Sequence, residues 1–214
     1  MKKSISIAIF CLFGITQSNA QVTFSPGLRG GVNFAHFTQT EDVNEKYTNL
    51  TDFYIGFLGE LNLSKVYSMQ PEIVYTRQGS GYERRLPDNS LVTENIKVSY
   101  LSLGLVNKFK FNKFNIQVGP TVDVNINDKG KTLATTYDNS QDPYFYNYYN
   151  YKYTPIDLTL FIGAGFDITD QFGVEARVKR GLIDVADWGD GGNNIVIQTG
   201  VYYKFISSNK KSKK

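Results

Sequence analysis

The chain has 214 residues, 14% of them aromatic, with 23 basic and 20 acidic side chains, one histidine and one cysteine. That is the length of one domain, and with no basic face visible inside the fold it gives no support to a nucleic-acid partner. A lone cysteine excludes a disulfide or a thiolate metal cluster, and one histidine without a tight carboxylate group leaves no metal or cofactor site to name.

The chain opens with MKKSISIAIFCLFGITQSNAQ. Lys2 and Lys3 form a basic head, Ile5 to Ile15 is mostly apolar, and Ser18-Asn19-Ala20 supplies small residues. This pattern predicts a secretory signal over residues 1–20, cleaved after Ala20. Its apolar part falls short of the ~20 residues that a spanning helix needs. Cys11 leaves with it. Without Lys2 and Lys3, 21 basic residues face 20 acidic ones. Four of the basic ones, Lys210, Lys211, Lys213 and Lys214, belong to a basic tail over residues 207–214. Between lies a domain over residues 21–206. The mean hydropathy, −0.30, resembles that of a soluble protein. Transmembrane barrels give the same average, because alternating strands hide their lipid face.

Period-two alternation predicts eight strands, over about 27–38, 52–64, 66–78, 95–110, 113–125, 156–168, 172–184 and 194–206. The sixth is the clearest. Leu158, Leu160, Ile162, Ala164, Phe166 and Ile168 share one face, and Asp157, Thr159, Gly163, Gly165 and Asp167 the other, with Phe161 the exception. Pro71, Pro120 and Pro155 argue against helices. The connections alternate in length. Long segments over 39–51, 79–94, 126–154 and 185–193 alternate with short turns at Ser64-Lys65, Phe111-Asn112 and Thr169-Asp170-Gln171. Outer-membrane barrels sort their loops in this way. The expected fold is therefore all-β, an eight-stranded antiparallel up-and-down transmembrane β-barrel. Its short turns are expected on the periplasmic side, its long loops outside, and both termini in the periplasm.

Parity alone does not say which face points inward. The polar face carries Arg29, Glu60, Glu72, Glu175, Arg177 and Lys179 together with many glycines, and small residues suit a crowded interior. The apolar face is nearly free of charge in mid-strand, as lipid demands, whereas a lipocalin-type barrel would be apolar inside. These six charges are expected at similar depths as an ion-paired plug, because an eight-stranded barrel is just wide enough to be filled by side chains. Aromatics near the strand ends, among them Phe34, Phe53, Tyr67, Tyr75, Phe109, Phe114, Phe172, Tyr203 and Phe205, predict two interfacial girdles. In the longest loop stands DPYFYNYYNYKY, residues 142–153. Tyr151 and Tyr153 are expected to join the outer girdle. Tyr144, Phe145, Tyr146, Tyr148, Tyr149 and Tyr151 are a candidate contact surface for a protein or glycan partner.

VSYLSLGLVNKFKFNKFNIQVGP, residues 98–120, resembles the strand-turn-strand hallmark of the PorT-like outer-membrane barrels of Bacteroidetes. GVEARVKRGLIDV, residues 173–185, is similar to that family's seventh strand, and PGLRGGVNFAHF and IQTGVYYKF also fit. The resemblance implies an eight-stranded barrel of the bacterial outer membrane, in contact with outer-membrane lipid and lipopolysaccharide. Its members are porin-like, and a few act in protein secretion. Such barrels commonly end on an aromatic of the last strand; here nine residues follow Phe205.

Chemistry finds little footing. His36 lies on the apolar side of the first strand, and no serine pairs with it by spacing. DVADWGDGGN, residues 184–193, lacks the spacing of a calcium loop. The expectation is a non-enzymatic barrel, porin-like or a scaffold for surface loops. The alternatives are a component or assembly factor of a secretion or surface-attachment complex and, from another class, an outer-leaflet lipid-modifying enzyme.

Overall fold

A computed structural model describes residues 22–38, 44–86, 88–127, 132–137, 146–150, 153–185 and 192–205. The predicted leader and tail lie outside these. The described residues form β1 (Thr23–Phe37), β2 (Glu45–Thr48), β3 (Leu50–Asn62), β4 (Tyr67–Arg85), β5 (Leu91–Phe111), β6 (Phe114–Asn125), β7 (Thr132–Tyr137), β8 (Tyr146–Asn150), β9 (Ile156–Asp167), β10 (Phe172–Asp184) and β11 (Asn193–Lys204). Eight of them run antiparallel in the order β4-β3-β1-β11-β10-β9-β6-β5, and β5 pairs back onto β4 to close a ring. β2 continues the lane of β3 and pairs with the far end of β4. β7 and β8 form a separate hairpin.

The faces are inverted relative to a soluble barrel. In β9, Ile156, Leu158, Leu160 and Ile162 are exposed, while Asp157 and Thr159 are buried. The same holds round the ring: Leu28, Phe57, Leu103, Val178 and Val201 point outward, and Arg29, Gln70, Gln117 and Gln198 are buried. An apolar exterior of this extent requires lipid around it.

Local chemistry sets the short turns. Ser64 Oγ accepts hydrogen bonds from the amides of Val66 and Tyr67 at 3.3 and 3.0 Å. Thr169 Oγ1 does the same for Gln171 and Phe172 at 3.2 and 2.9 Å. A hydroxyl at the head of a tight turn thus replaces backbone partners. The third turn, between Phe111 and Phe114, is held by Asn112 at φ 59°, a left-handed position that asparagine tolerates. Pro71 and Pro120, which cannot donate to a ladder, fall where pairing is interrupted between Leu58↔Glu72 and Leu61↔Met69 and between Gly104↔Thr121 and Asn107↔Val118. The register is the same on both sides of each gap.

Three of the expected long connections contain strands: β2 lies within 39–51, β7 and β8 lie within 126–154, and 79–94 is mostly strand. Residues 79–94 do not form a loop. β4 and β5 continue in unbroken register from Tyr67↔Phe109 to Arg85↔Leu91, leaving a tight turn at Leu86 to Ser90. The segment is polar because it is read against neither lipid nor a full ring. It projects as an arm with β2 on its edge.

Candidate functional site

The lumen is filled by charge. Arg177 on β10 reaches Glu72 on β4 with two nitrogens: Nη1 donates to Oε2 and Nη2 to Oε1, each at 2.8 Å. Its Nη2 also meets Glu175 at 3.1 Å, and its Nε donates to Gln117 Oε1 at 2.8 Å. Arg29 on β1 donates to the same Glu72 and stands 2.7 Å from Glu175. Two guanidinium groups therefore share two carboxylates, with all four side chains no more than 2% exposed. Aromatic faces close the cluster on either side. Arg29 lies 4.8 Å from the Tyr54 ring and Arg177 4.9 Å from that of Phe161.

Two glycines make room for it. A Cβ on Gly163 would come within 2.6 Å of Arg177 Cγ, and one on Gly200 within 2.4 Å of Tyr54 Oη. The cavity beside the cluster leaves about 10 Å³ for the centre of a water molecule, room for about one water.

Charge layers lie above and below. Toward the turn end, Glu60 on β3 takes Lys108 at 3.2 Å and Lys204 at 3.6 Å, and also accepts from Lys110. Lys204 meets Asp167 at 2.8 Å. Toward the loop end, Lys179 meets Asp123 at 3.1 Å, and Ser102, Thr121 and Thr159 donate to the same carboxylate. Beyond that the character changes. Phe37, Tyr47, Tyr82, Ile96, Val98, Tyr100 and Val185 pack into an apolar cap over the lumen, with Tyr153 against it. Phe37 and Tyr47 meet edge to face at 5.4 Å. Tyr82 Oη donates to Glu45 at 2.8 Å. Burial, helped by the Glu45 charge, pushes the Tyr47 hydroxyl up to about 12 and that of Tyr82 well above the ordinary tyrosine range.

Comparison with known proteins fits this geometry. The sequence matches the outer membrane protein beta-barrel domain over residues 17–187. The chain belongs to that family. This outer-membrane barrel is also similar to solved structures. Neisserial surface protein A is 12% identical with a TM-score of 0.50, over 84% of this chain and 97% of that one. OprG of Pseudomonas aeruginosa is 11% identical with a TM-score of 0.47, over 87% and 98%. Ail of Yersinia pestis, solved with the heparin analogue sucrose octasulfate, is 11% identical with a TM-score of 0.46, over 86% and 99%. No curated protein matches the sequence.

The six charges expected at similar depths divide into three groups. Arg29, Glu72, Glu175 and Arg177 meet in the middle of the barrel, Glu60 belongs to the turn-end lysines, and Lys179 pairs with Asp123. Sequence reading missed Lys108 and Lys110. Both share the parity of Ser102, a signal masked by Phe109 between them and Phe111 after them. Tyr54, Tyr100 and Tyr202 are further lumen residues outside the expected set, which places tyrosine at the girdles and in the long loop; each is buried in the lumen or cap. Tyr153 corrects the girdle expectation: it packs inward on the cap. Tyr67 and Phe109, at 5.5 Å, and Phe53 and Tyr75, at 5.9 Å, do pair on the outer face. In the tyrosine-rich run, Tyr146, Tyr148 and Tyr149 belong to β8. Tyr144, Phe145 and Tyr151 lie outside the described residues, as does most of the 184–193 loop. His36 stands on the outer face of β1, with Ile195 as its cross-strand neighbour in β11.

Proposed function

We propose that this chain is a closed, non-enzymatic barrel of the outer membrane that holds a rigid surface assembly at its loop end and does not act as an open pore. The observation that carries this reading is the paired cluster of Arg29, Arg177, Glu72 and Glu175, which bridges the lumen and leaves room for about one water beside it. The apolar cap is a second closure in series. With the loop end facing outward and the termini in the periplasm, the β2-β4-β5 arm, the β7-β8 hairpin and the tyrosine-rich run stand at the cell surface. There they would meet a protein or glycan partner. The likeness of residues 98–120 and 173–185 to the PorT-like barrels supports the same view, because a few of those act within secretion assemblies. The cross-strand neighbour of His36 in β11 is Ile195 and not a serine, which supports a non-enzymatic reading over a lipid hydrolase that needs a Ser-His pair.

The test is conductance of the refolded chain in a planar bilayer, on a sample with the heat-dependent gel shift of a folded barrel. Silence is the expected result. Steady channels from the unmodified chain would overturn the closed reading.

A further inference from the structure

Among the described residues, the lipid-facing surface carries an arginine that is out of keeping with its apolar neighbours. Arg180 on β10 is exposed and points outward, in line with Val178 and Leu182 on the same strand. Its cross-strand neighbours are Leu160 on β9 and Ile195 on β11. On the far side of Ile195 stands His36 of β1. One row runs Leu160, Arg180, Ile195, His36. Leu182, 56% exposed, and Leu158, 46% exposed, lie beyond this row toward the loop end. Arg180 therefore sits inside the apolar margin. A cation in that position costs free energy unless something answers it.

The other outward-facing arginine of the band is answered. Arg77 meets Asp52 at 3.3 Å and lies 5.6 Å from the Phe53 ring. Arg180 has no ion pair or ring contact of this kind among the described residues. The backbone also marks the spot. The register of β10 on β11 shifts between Arg180 and Asp184, and such a bulge re-aims the side chains beside it. Arg180 and His36 are two strand spacings apart, roughly 10 Å. Both side chains can reach a group seated over Ile195.

We propose that Arg180, with His36, holds the phosphate of a lipid headgroup in the leaflet at the loop end. A guanidinium offers a planar fork that matches two phosphate oxygens, and an imidazole adds one N–H donor. Ile195, Leu160 and Leu182 supply the apolar ground on which acyl chains lie. The inference needs the barrel to be in a membrane and does not depend on whether its lumen conducts.

The test uses the full chain refolded in detergent, with native mass spectrometry as readout. The probes are phosphatidic acid and the diacylglycerol of the same chains. The expected result is about a 10-fold preference for phosphatidic acid, a single good charge-assisted contact. R180Q should abolish the preference, R180K should keep part of it because a point charge replaces the fork, and H36Q should lower it about threefold. A preference that survives R180Q unchanged overturns the proposal. So does displacement of phosphatidic acid by millimolar inorganic phosphate, which would make this a site for the free anion. If R180Q gives no gel-shifting barrel, H36Q and R180K decide, and equal preference in both and the unmodified chain overturns it.

Discussion

Arg177 and Glu72 join diametrically opposite strands of the barrel by two parallel hydrogen bonds of 2.8 Å. β10 is four strands from β4 in either direction round the ring. The pair therefore works as a strap across a lumen whose width the closed eight-stranded ring sets. Arg29 and Glu175 lie beside it, so each charge in the cluster has two partners.

Breaking the strap on one side leaves uncompensated charge. Glu72→Ala strands Arg29 and Arg177 in the lumen and should cost about 3–5 kcal/mol of unfolding free energy. Glu72→Gln keeps the shape and should cost less. Urea unfolding of the barrel in detergent, run as a double-mutant cycle with Arg177→Ala, should give a coupling of about 1–3 kcal/mol. Additive losses would show that the two side chains do not act together.

Gly163 tests the space the strap needs. Its missing Cβ is where Arg177 Cγ passes, at 2.6 Å from the ideal position. Gly163→Val should push Arg177 off Glu72 and destabilise by about 1–3 kcal/mol, the usual range for overpacking. The same substitution in an Arg177→Ala background should recover only part of this, because the new Cβ also meets the backbone oxygen of Ala176 at 2.6 Å. Heat-dependent gel shift across temperature reads both variants.

Much of the fold was legible, and its failures are instructive. Alternation in 156–168 locates β9 within a residue because one face must be apolar for lipid. Phe161 broke that pattern for a reason only the closed ring reveals: its ring faces Arg177 from inside the lumen. The extension of β4 and β5 past the ring reads as loop because pairing outside the bilayer needs no apolar face, so residues 79–94 lack the signal that marks the other strands. Depth was not legible either. The lane offset from strand to strand decides that Glu60 meets Lys108 while Glu72 meets Arg177, and parity carries no information about offset.

The cap should loosen in alkali. The Tyr47 hydroxyl has its pKa raised from 10.0 to about 12, chiefly by burial and then by Glu45. A group raised on folding adds stability that is fully present below its unfolded pKa and is lost as pH rises through the folded one. The cap is therefore expected to hold below pH 10 and to weaken toward pH 12. Tyrosine fluorescence and proteolysis of the loop end would follow it. Tyr47→Phe, which cannot ionise, should shift the loosening to higher pH; an unchanged midpoint would remove Tyr47 as its cause.

Opening the barrel should take two changes, because two closures stand in series. Replacing Arg177 and Glu72 together with serine removes one cation and one anion, so the lumen stays near neutral while its central strap is gone. Arg29 still has Glu175 at 2.7 Å, so the variant keeps a paired remnant and should fold. Yet Phe37, Tyr82 and Val185 still cap the loop end, and a dry apolar constriction blocks ions even when wide enough for water. The double variant is therefore expected to stay silent in a planar bilayer. Conductance should appear only when Tyr82→Ala is added. Channels in the strap variant alone would show that the cap does not seal. Silence in both variants would place the seal in the Glu60 and Asp123 layers, and Lys108→Ala and Lys179→Ala would be the variants that distinguish them.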